Sequence, residues 1–499
     1  MSTINRILKN VGASVLPQII NIISSFILPV LIIDIYGSQV NGLISTIKSI
    51  ISYISLVGAG IATATTQALY KPVAIDDVPT VQGMLRATSD MFNKCGWIYL
   101  LIVFLVSLIY PIIINGDIEY VTVVFLLIVM SISGASEFFV VGRCRSLLYA
   151  SQKVYICTTI QAISLLVSLI IAILMLKLRA NIILVQLAIS LVYVVRAFLL
   201  SSYVKKFYPQ YVISKQTKPI NTAVEKRNDA MIHQLTGLLV FGSQSVILSI
   251  LVGLEAASIY AVYNIVFSGL FSICSNMNTA ITPFLGRSLV MSDITKVRSE
   301  FNAIEYIYYL LTTLVFSVTS VSILPFVSIY MKDADINYMY PIFGLLFTFS
   351  QVFNVFRLPH SAMINVAGHF KETRNQAILE ALICVIISLI FTFVCGMYGV
   401  LIGTTLAIAW RCVDMMCYIH KRILKDSLVI SLFRIFRMLC LIFLVYVFMP
   451  GKESVLNSYV EWGIYAISVL LISLLLLSLD MLLFEKKTFR LLLSYIHRK

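Results

Sequence analysis

The sequence predicts an all-α polytopic membrane protein with 14 transmembrane helices, arranged as two parallel six-helix repeats plus two C-terminal helices. Composition is the first observation: 60% of the 499 residues are hydrophobic and only 12% are charged, against roughly 25% charged in a soluble domain. The second is that the apolar runs are about 20 residues long, which favours helices over a membrane barrel. The third is that segment 37–71 recurs at 253–287.

The predicted spans follow one another with short connections. Arg6 and Lys9 precede the first apolar run, which is about 23 residues long and has no small-residue cleavage site, so we interpret it as a span rather than a signal peptide. The spans are predicted at 11–33, 37–71, 96–114, 120–142, 154–176, 181–204, 231–253, 256–285, 301–330, 338–359, 375–395, 398–420, 428–449 and 460–484.

The distribution of positive charge predicts the orientation. With the N-terminus inside, most of the 37 Lys and Arg residues fall in inner segments. The predicted outer loops hold only Lys177, Arg179, Lys332 and Lys452. By the positive-inside rule both termini are cytoplasmic, which also requires an even number of spans.

The duplication predicts the domain organisation: an N-terminal six-helix half at 1–204, a basic cytoplasmic linker at 205–230, a C-terminal six-helix half at 231–421, and two extra helices with a basic tail at 422–499. Two halves of six helices enter the membrane in the same sense, as in parallel-repeat transporters, whose substrate lies between the halves. The identities in register include Gln18 with Gln234, Gly37 with Gly253, Ser52 with Ser268, Pro111 with Pro325, Arg196 with Arg411, and Tyr203 with Tyr418.

Several function classes are excluded by the sequence. The basic residues lie in loops between spans, so the net charge of +14 does not indicate nucleic acid binding. There is no Walker A motif and no outer loop longer than about a dozen residues, so an enzyme is not expected. The nine cysteines lack metal-site spacing, and His233, His360 and His369 receive no role. We therefore expect no metal and no cofactor, and a monomer.

A polar stripe on span two is the first candidate site. Lys48 and Ser52 fall on one helical face with Ser45 and Ser55. The duplicate face in span eight carries Asn264 and Asn278, and we add the equivalent pair Gln18 and Gln234 as candidate substrate-binding residues. Two interpretations stay open: the stripes line a water-filled cleft, or the small residues serve close helix packing while Lys48 extends to the outer surface.

Three further candidates are ionisable residues inside predicted spans, where a charge is expensive. Arg196 and Arg411 are equivalents in spans six and twelve and are candidate substrate-binding residues, although a structural salt bridge is the alternative and Asp414 is close enough in sequence to neutralise Arg411. Glu137 in span four is a candidate for an ion pair with Lys48 or Arg196, or for binding a coupling proton.

The cationic residues fit an anionic substrate. A guanidinium matches a phosphate or pyrophosphate with two hydrogen bonds, and the Ser, Asn and Gln side chains suit sugar hydroxyls. A lipid-linked, pyrophosphate-bearing oligosaccharide satisfies both requirements, since its tail can stay in the bilayer.

The chain resembles bacterial polysaccharide flippases (Wzx-type, polysaccharide transporter family) of the multidrug/oligosaccharidyl-lipid/polysaccharide exporter superfamily. The resemblance rests on the six-plus-six-plus-two layout and on Tyr36, Gly37, Asn41, Gly42 and Leu43, on Leu69, Tyr70, Lys71 and Pro72, and on Ala150, Ser151, Gln152 and Lys153.

The resemblance implies a flippase in the bacterial inner membrane that moves an undecaprenyl-pyrophosphate-linked repeat unit to the outer leaflet by alternating access, for O-antigen, capsule or exopolysaccharide synthesis. Membrane lipids and a polysaccharide polymerase complex are the implied partners. The drug-exporting branch of the superfamily carries an acid within span one, and span one here has none. A cation-coupled multidrug antiporter and a non-transporting component of a glycan synthesis complex remain as alternatives.

Overall fold

The structure, a computed structural model, describes residues 3–114, 116–213, 217–220, 227–369, 371–449, 456 and 458–486. In these ranges the regular structure is helical throughout, with 17 α-helices. Thirteen helical segments within them are long and apolar enough to cross a membrane, and Thr236–Leu251 is a shorter apolar helix at the predicted seventh span. The chain is thus a multi-pass membrane protein, while the count of 14 spans and the placement of the termini stay predictions.

The chain divides into two compact units, Met1–Ala261 and Val262–Lys499. The helices that begin in unit 1 are α1 (Thr3–Tyr36), α2 (Ser38–Ile54), α3 (Ile61–Ala74), α4 (Val78–Ile113), α5 (Tyr120–Ser136), α6 (Gly142–Ala150), α7 (Val154–Lys177), α8 (Ile182–Phe207), α9 (Arg227–Leu251) and α10 (Leu254–Met291). The last of these, α10, continues into unit 2. Local signals set several starts: Asp77 caps α4 by accepting from the Thr80 amide at 3.2 Å, and Asn181 caps α8 by accepting from the Ile183 amide at 2.8 Å.

Part of the predicted linker 205–230 packs against the helices of unit 1. Tyr208 and Tyr211 are buried, and the Ile220 amide donates to the Gly83 carbonyl at 3.0 Å. Tyr211 donates its hydroxyl to Asp76. Burial, together with this hydrogen bond to a carboxylate, raises the pKa of Tyr211 to about 12, so the phenol stays a donor at neutral pH.

Unit 2 contains the remaining helices: α11 (Ile294–Tyr330), α12 (Pro341–Phe356), α13 (Leu358–Ala367), α14 (Arg374–Cys395), α15 (Tyr398–Tyr418), α16 (Val429–Phe448) and α17 (Tyr459–Phe484). Helices α14 and α15 approach backbone to backbone, because a Cβ at Gly399 would lie 2.2 Å from the Thr392 amide nitrogen and one at Gly403 2.3 Å from that of Ser388. Small residues four positions apart permit such contact between membrane helices.

Several predicted spans are interrupted rather than continuous. Span two breaks after α2 into a 3₁₀ turn at Ser55–Gly58, and span four contains a π-helical turn at Glu137–Val141. Span ten breaks between α12 and α13 at Arg357, two residues before Pro359. Span twelve ends in a π-helical turn at Ile419–Leu424. Such turns inside helices often mark functional positions, and the ionisable residues described below lie at or beside several of them.

Candidate functional site

The polar stripe lies on the face of α2 that is turned away from the core of unit 1. Leu43, Ile47 and Ile50 bury the opposite face. Lys48 and Ser52 are exposed, and Ser52 donates its hydroxyl to the Lys48 carbonyl at 2.9 Å, within its own helix. In the part of the chain that the structure describes, the Lys48 side chain has no ion pair and no hydrogen bond. The second span therefore presents a free ammonium group beside a small hydroxyl.

The end of this polar face is a break in the helix. After the 3₁₀ turn at Ser55–Gly58, Gly60 takes φ +79, a left-handed conformation that glycine adopts without strain, and α3 begins at the next residue. Phe138 packs against the break so closely that a Cβ at Gly58 would lie 2.3 Å from its ring. The broken second span and the π-helical turn of the fourth span are thus in direct contact.

Glu137 is the acid of that π-helical turn, and two arginines share it. Arg145 Nη1 lies 2.6 Å from Glu137 Oε1, and Arg196 Nη2 lies 3.2 Å from Glu137 Oε2. The Arg196 guanidinium also lies 5.2 Å from the centre of the Tyr193 ring. Its Nε is buried and has no hydrogen-bond partner among the residues that the structure describes. One carboxylate between two guanidiniums leaves this cluster with a formal charge of +1.

Arg411, the predicted equivalent of Arg196, lies in a similar cluster in unit 2. Its Nε is 3.5 Å from Glu380 Oε2, its Nη1 is 2.5 Å from Asp414 Oδ2, and its Nη2 donates to the Thr373 carbonyl at 3.3 Å. Arg357 Nη1 lies 2.5 Å from the other oxygen of Glu380. Two acids match two arginines here, so this cluster is formally neutral and more deeply buried than the one around Glu137.

The other predicted site residues are dispersed. Gln18 is exposed on α1, and the side chain of Gln234 lies outside the described residues. Asn264 and Asn278 are half-buried on α10, which leaves unit 1 after Ala261. The Oδ1 atom of Asn278 is buried, and no described residue gives it a hydrogen bond. Within unit 1 the structure thus places Lys48 and Ser52 together on α2, and Arg196 and Glu137 together on α8 and the fourth span.

A third ionic cluster, in unit 2, was missed by the sequence reasoning. It contains Glu305 on α11, His360 on α13, His420 in the π-helical turn after α15, and charged residues of the last two helices. Glu305 and His360 are fully buried. The members that complete it are Arg434, Arg437, Asp480 and Glu485. A signal for it exists in the sequence, since Glu305, Arg434, Arg437 and Asp480 all lie inside predicted spans, where an ionisable residue is a functional candidate by default.

Comparison with known proteins relates the chain to others by structure. No protein-family model matches it, and no curated protein matches it in sequence. It is similar to an inward-facing multidrug resistance MATE transporter of the MOP superfamily (TM-score 0.64, 13% identity, 84% of this chain and 98% of that chain covered). It is also similar to the lipid II flippase MurJ in an inward closed conformation (0.58, 15%, 94% and 100%). A third match is a MOP superfamily transporter from Pyrococcus furiosus (0.57, 13%, 85% and 96%).

Proposed function

We propose that the chain, whose fold matches MOP superfamily transporters, is a flippase for a lipid-linked oligosaccharide. In this proposal it moves an undecaprenyl-pyrophosphate-linked repeat unit across the bacterial cytoplasmic membrane by alternating access, without enzymatic chemistry. The observation that carries the proposal is the free side chain of Lys48 on the polar face of α2.

An unpaired cation inside a membrane span is costly, and such residues usually pair with an acid, with backbone carbonyls, or with a transported ion or substrate. Lys48 has none of the first two among the described residues. A phosphate or pyrophosphate group would supply the missing negative charge. Ser52, one turn further along the same face, offers a hydroxyl for the same phosphate or for the first sugar.

The two arginines enter the proposal differently. Arg196 is held by Glu137, but its cluster keeps a net positive charge and an unpartnered Nε, which supports a second contact to an anion. Arg411 is neutralised by Glu380 and Asp414, so the structure supports a substrate contact at Arg411 less than at Arg196. The remaining proposed substrate-binding residues are Asn264, Asn278, Gln18 and Gln234. Glu137 is proposed as an ion-pair residue that orients Arg196.

The comparisons support a transport function at the level of the fold. One similar structure is described as a lipid II flippase, and others as multidrug transporters. For the Pyrococcus furiosus transporter, reverse polarity of the binding pocket is said to suggest a different function. The resemblance in span two and the six-plus-six-plus-two layout favour the polysaccharide branch, with surface polysaccharide, O-antigen or capsule as the product.

A cation-coupled multidrug antiporter is the second candidate, because several similar structures are MATE transporters. The charge of the polar face distinguishes the two candidates. A free ammonium group repels cationic drugs and attracts phosphate, and the one acid in the membrane-capable segment Leu16–Tyr36 of α1 is Asp34, two residues from its end. A non-transporting membrane component of a glycan synthesis complex is the third candidate, and only a transport measurement excludes it.

The test uses purified full-length protein in liposomes with a fluorescent undecaprenyl-pyrophosphate oligosaccharide, and measures how fast an impermeant quencher reaches the probe. Wild-type protein is expected to speed translocation, Lys48→Ala to lose most of it, and Lys48→Arg to retain it. Lys94→Ala, which removes an exposed lysine from α4, is the matched control.

Two results would overturn the proposal. Translocation of the probe that is no faster than in protein-free liposomes, alongside drug transport driven by a cation gradient, would establish the antiporter. A wild-type translocation rate in Lys48→Ala would show that Lys48 does not contact the substrate, and the proposed site would be refuted. In cells that lack the protein, lipid-linked repeat units should accumulate on the inner leaflet. If such cells instead had normal surface glycan and an increased sensitivity to toxic dyes, the antiporter would be favoured.

A further inference from the structure

The buried cluster in unit 2 brings two imidazoles and one carboxylate to a common point. One ligand atom from each of Glu305, His360 and His420 lies within 4.8 Å of the others, and all three residues are buried. They come from three different helical segments. Ser431 on α16 connects two of them, since its hydroxyl donates to Glu305 Oε2 at 2.9 Å and lies 3.1 Å from His420 Nε2.

The Nδ1 atom of each imidazole, which points away from the common point, faces a hydrogen-bond acceptor. His360 Nδ1 lies 3.2 Å from the Phe356 carbonyl oxygen, and His420 Nδ1 lies 2.5 Å from Asp426 Oδ1. Both acceptors require an N–H on Nδ1, so a neutral ring carries its lone pair on Nε2. The Ser431 proton goes to Glu305, so it cannot also be donated to His420 Nε2, and that lone pair needs a cation as its partner. A carbonyl or a carboxylate behind the imidazole is the usual second shell of a metal-bound histidine, because it fixes the tautomer and the ring orientation.

The gap between His360 and Glu305 has the dimensions of a metal site. His360 Nε2 lies 3.1 Å from Glu305 Oε1, within ion-pair distance, but among the described residues no acceptor lies in line with an N–H on this buried nitrogen. A proton shared by the two atoms would place the N–H in line with the oxygen. Two ligands bound at 2.0–2.1 Å to one tetrahedral ion are instead about 3.3 Å apart, with both lone pairs directed at a third centre.

The charges around the cluster favour a cation. With neutral imidazoles, the three buried carboxylates of Glu305, Asp480 and Glu485 face the two buried guanidiniums of Arg434 and Arg437. The partly exposed carboxylate behind His420 adds one more negative charge. The Arg434 guanidinium lies 2.8 Å from Oε2 of Glu305. The other oxygen, Oε1, faces His360 and also accepts a hydrogen bond from the Tyr309 hydroxyl at 3.3 Å, which leaves one of its lone pairs for a metal ion.

We propose that Glu305, His360 and His420 bind one divalent transition-metal ion of the zinc class. Two imidazoles and one carboxylate are a donor set that zinc uses, with water in the fourth position. The ion would connect α11, α13 and the end of α15, and through Ser431 and Arg434 it would hold α16, the first of the two extra helices. The proposal does not depend on the transported substrate.

The test is metal binding by the full-length protein, purified in detergent through a tag without histidine. Chelator-treated protein loaded with Co²⁺ is expected to bind one ion per chain and to show the visible absorption of a tetrahedral cobalt site. Wild-type protein as purified, without chelator treatment or added Co²⁺, is expected to contain zinc by elemental analysis. Neither readout uses transport.

Variants separate the site from adventitious binding. Loss of stoichiometric Co²⁺ binding is expected in His360→Ala and His420→Ala, whereas His369→Ala should bind normally, because His369 lies outside the cluster against Tyr418. Asp426→Asn should weaken binding by about 10- to 100-fold, which is the usual effect of a lost second-shell carboxylate. This variant alters a loop residue, so it tests the site even if the buried variants fail to fold.

Two outcomes would overturn the proposal. One is a folded wild-type protein that binds no Co²⁺ stoichiometrically, in which case protons would have to supply the positive charge of the cluster. The other is Co²⁺ binding that Asp426→Asn leaves unchanged, or full Co²⁺ binding in either cluster histidine variant, His360→Ala or His420→Ala, that folds.

Discussion

Arg196 donates from Nη2 to Glu137 Oε2 across 3.2 Å, which ties α8 to the π-helical turn of the fourth span. Its predicted equivalent, Arg411, lies 3.5 Å from Glu380 on α14. The two arginines are equivalents in the predicted repeats, but their acids are not, because Glu137 belongs to the predicted fourth span and Glu380 to the predicted eleventh. Each acid is also shared with a second arginine, Arg145 or Arg357.

Glu137→Gln is expected to destabilise unit 1 moderately. The substitution leaves Arg145 and Arg196 without their shared negative charge, but Glu137 is 27% exposed and water screens part of the loss. We expect the free energy of unfolding to fall by about 1–2 kcal/mol, measured by SDS titration in mixed micelles. Asp90→Asn is the control, because its pair with Arg86 is exposed and worth at most about 1 kcal/mol. Equal effects would contradict the buried role of Glu137.

Glu380→Gln should be more damaging than Glu137→Gln. Side-chain exposure is 8% for Glu380 and 3% for Arg411, so water cannot replace the lost charge. Removing one partner of a buried ion pair lowers stability by about 3–5 kcal/mol. The same SDS titration measures it, and a loss smaller than that of Glu137→Gln would show that Asp414 alone neutralises Arg411.

The membrane-spanning pattern was the part of the fold that could be predicted from the sequence. Apolar runs of about 20 residues are long and strongly biased, so each of the 13 membrane-capable segments overlaps a predicted span. The predicted starts were less accurate, since α4 begins at Val78 rather than at 96. The interruptions were not predicted, because a π-helical turn at Glu137–Val141 adds only local strain to an otherwise apolar helix. At Gly60 the left-handed backbone is set by packing around the break, which glycine permits but does not specify.

The candidate site was predictable only in part, for a related reason. The stripe containing Lys48 follows from helical periodicity within one segment. The cluster of Glu305, His360 and His420 joins residues that are separated by 55 and 60 positions along the chain, and no periodicity links them. From the sequence, His360 was interpreted as a span-end residue without a role, and His420 only as the last residue of the predicted twelfth span. What the sequence did offer was acids and arginines inside apolar spans, which deserved the same weight as Lys48.

Gly42→Ala is expected to disrupt the packing of α2 in unit 1. A Cβ at Gly42 would lie 1.9 Å from the Leu254 carbonyl oxygen, which is backbone and cannot move aside cheaply. The neighbouring Asn41 donates to Ser258 Oγ at 2.7 Å, so the shift would also break this contact. We expect a loss of about 2–4 kcal/mol by SDS titration.

The matched control for Gly42 is Gly237→Ala on α9. A Cβ at Gly237 meets nothing within 4 Å, and alanine is the better helix former by about 1 kcal/mol, so stability should hold or rise. A neutral Gly42→Ala would show that α2 and the start of α10 separate readily.

Arg196→Ala should reduce translocation more than it reduces stability. Glu137 keeps Arg145 at 2.6 Å when Arg196 is removed, so no acid is left unpaired and the loss of stability should be smaller than in Glu137→Gln. If the cluster's surplus positive charge contacts the substrate phosphate, its loss should lower translocation in the liposome assay by roughly tenfold, since about 1.4 kcal/mol of binding corresponds to a factor of ten. Arg86→Ala, which removes an exposed arginine from α4, is the control.

Normal translocation in Arg196→Ala would leave Lys48 as the proposed substrate contact in unit 1. If Lys48→Ala also translocated normally, the proposal of a cationic substrate site would be refuted, whatever the chain transports.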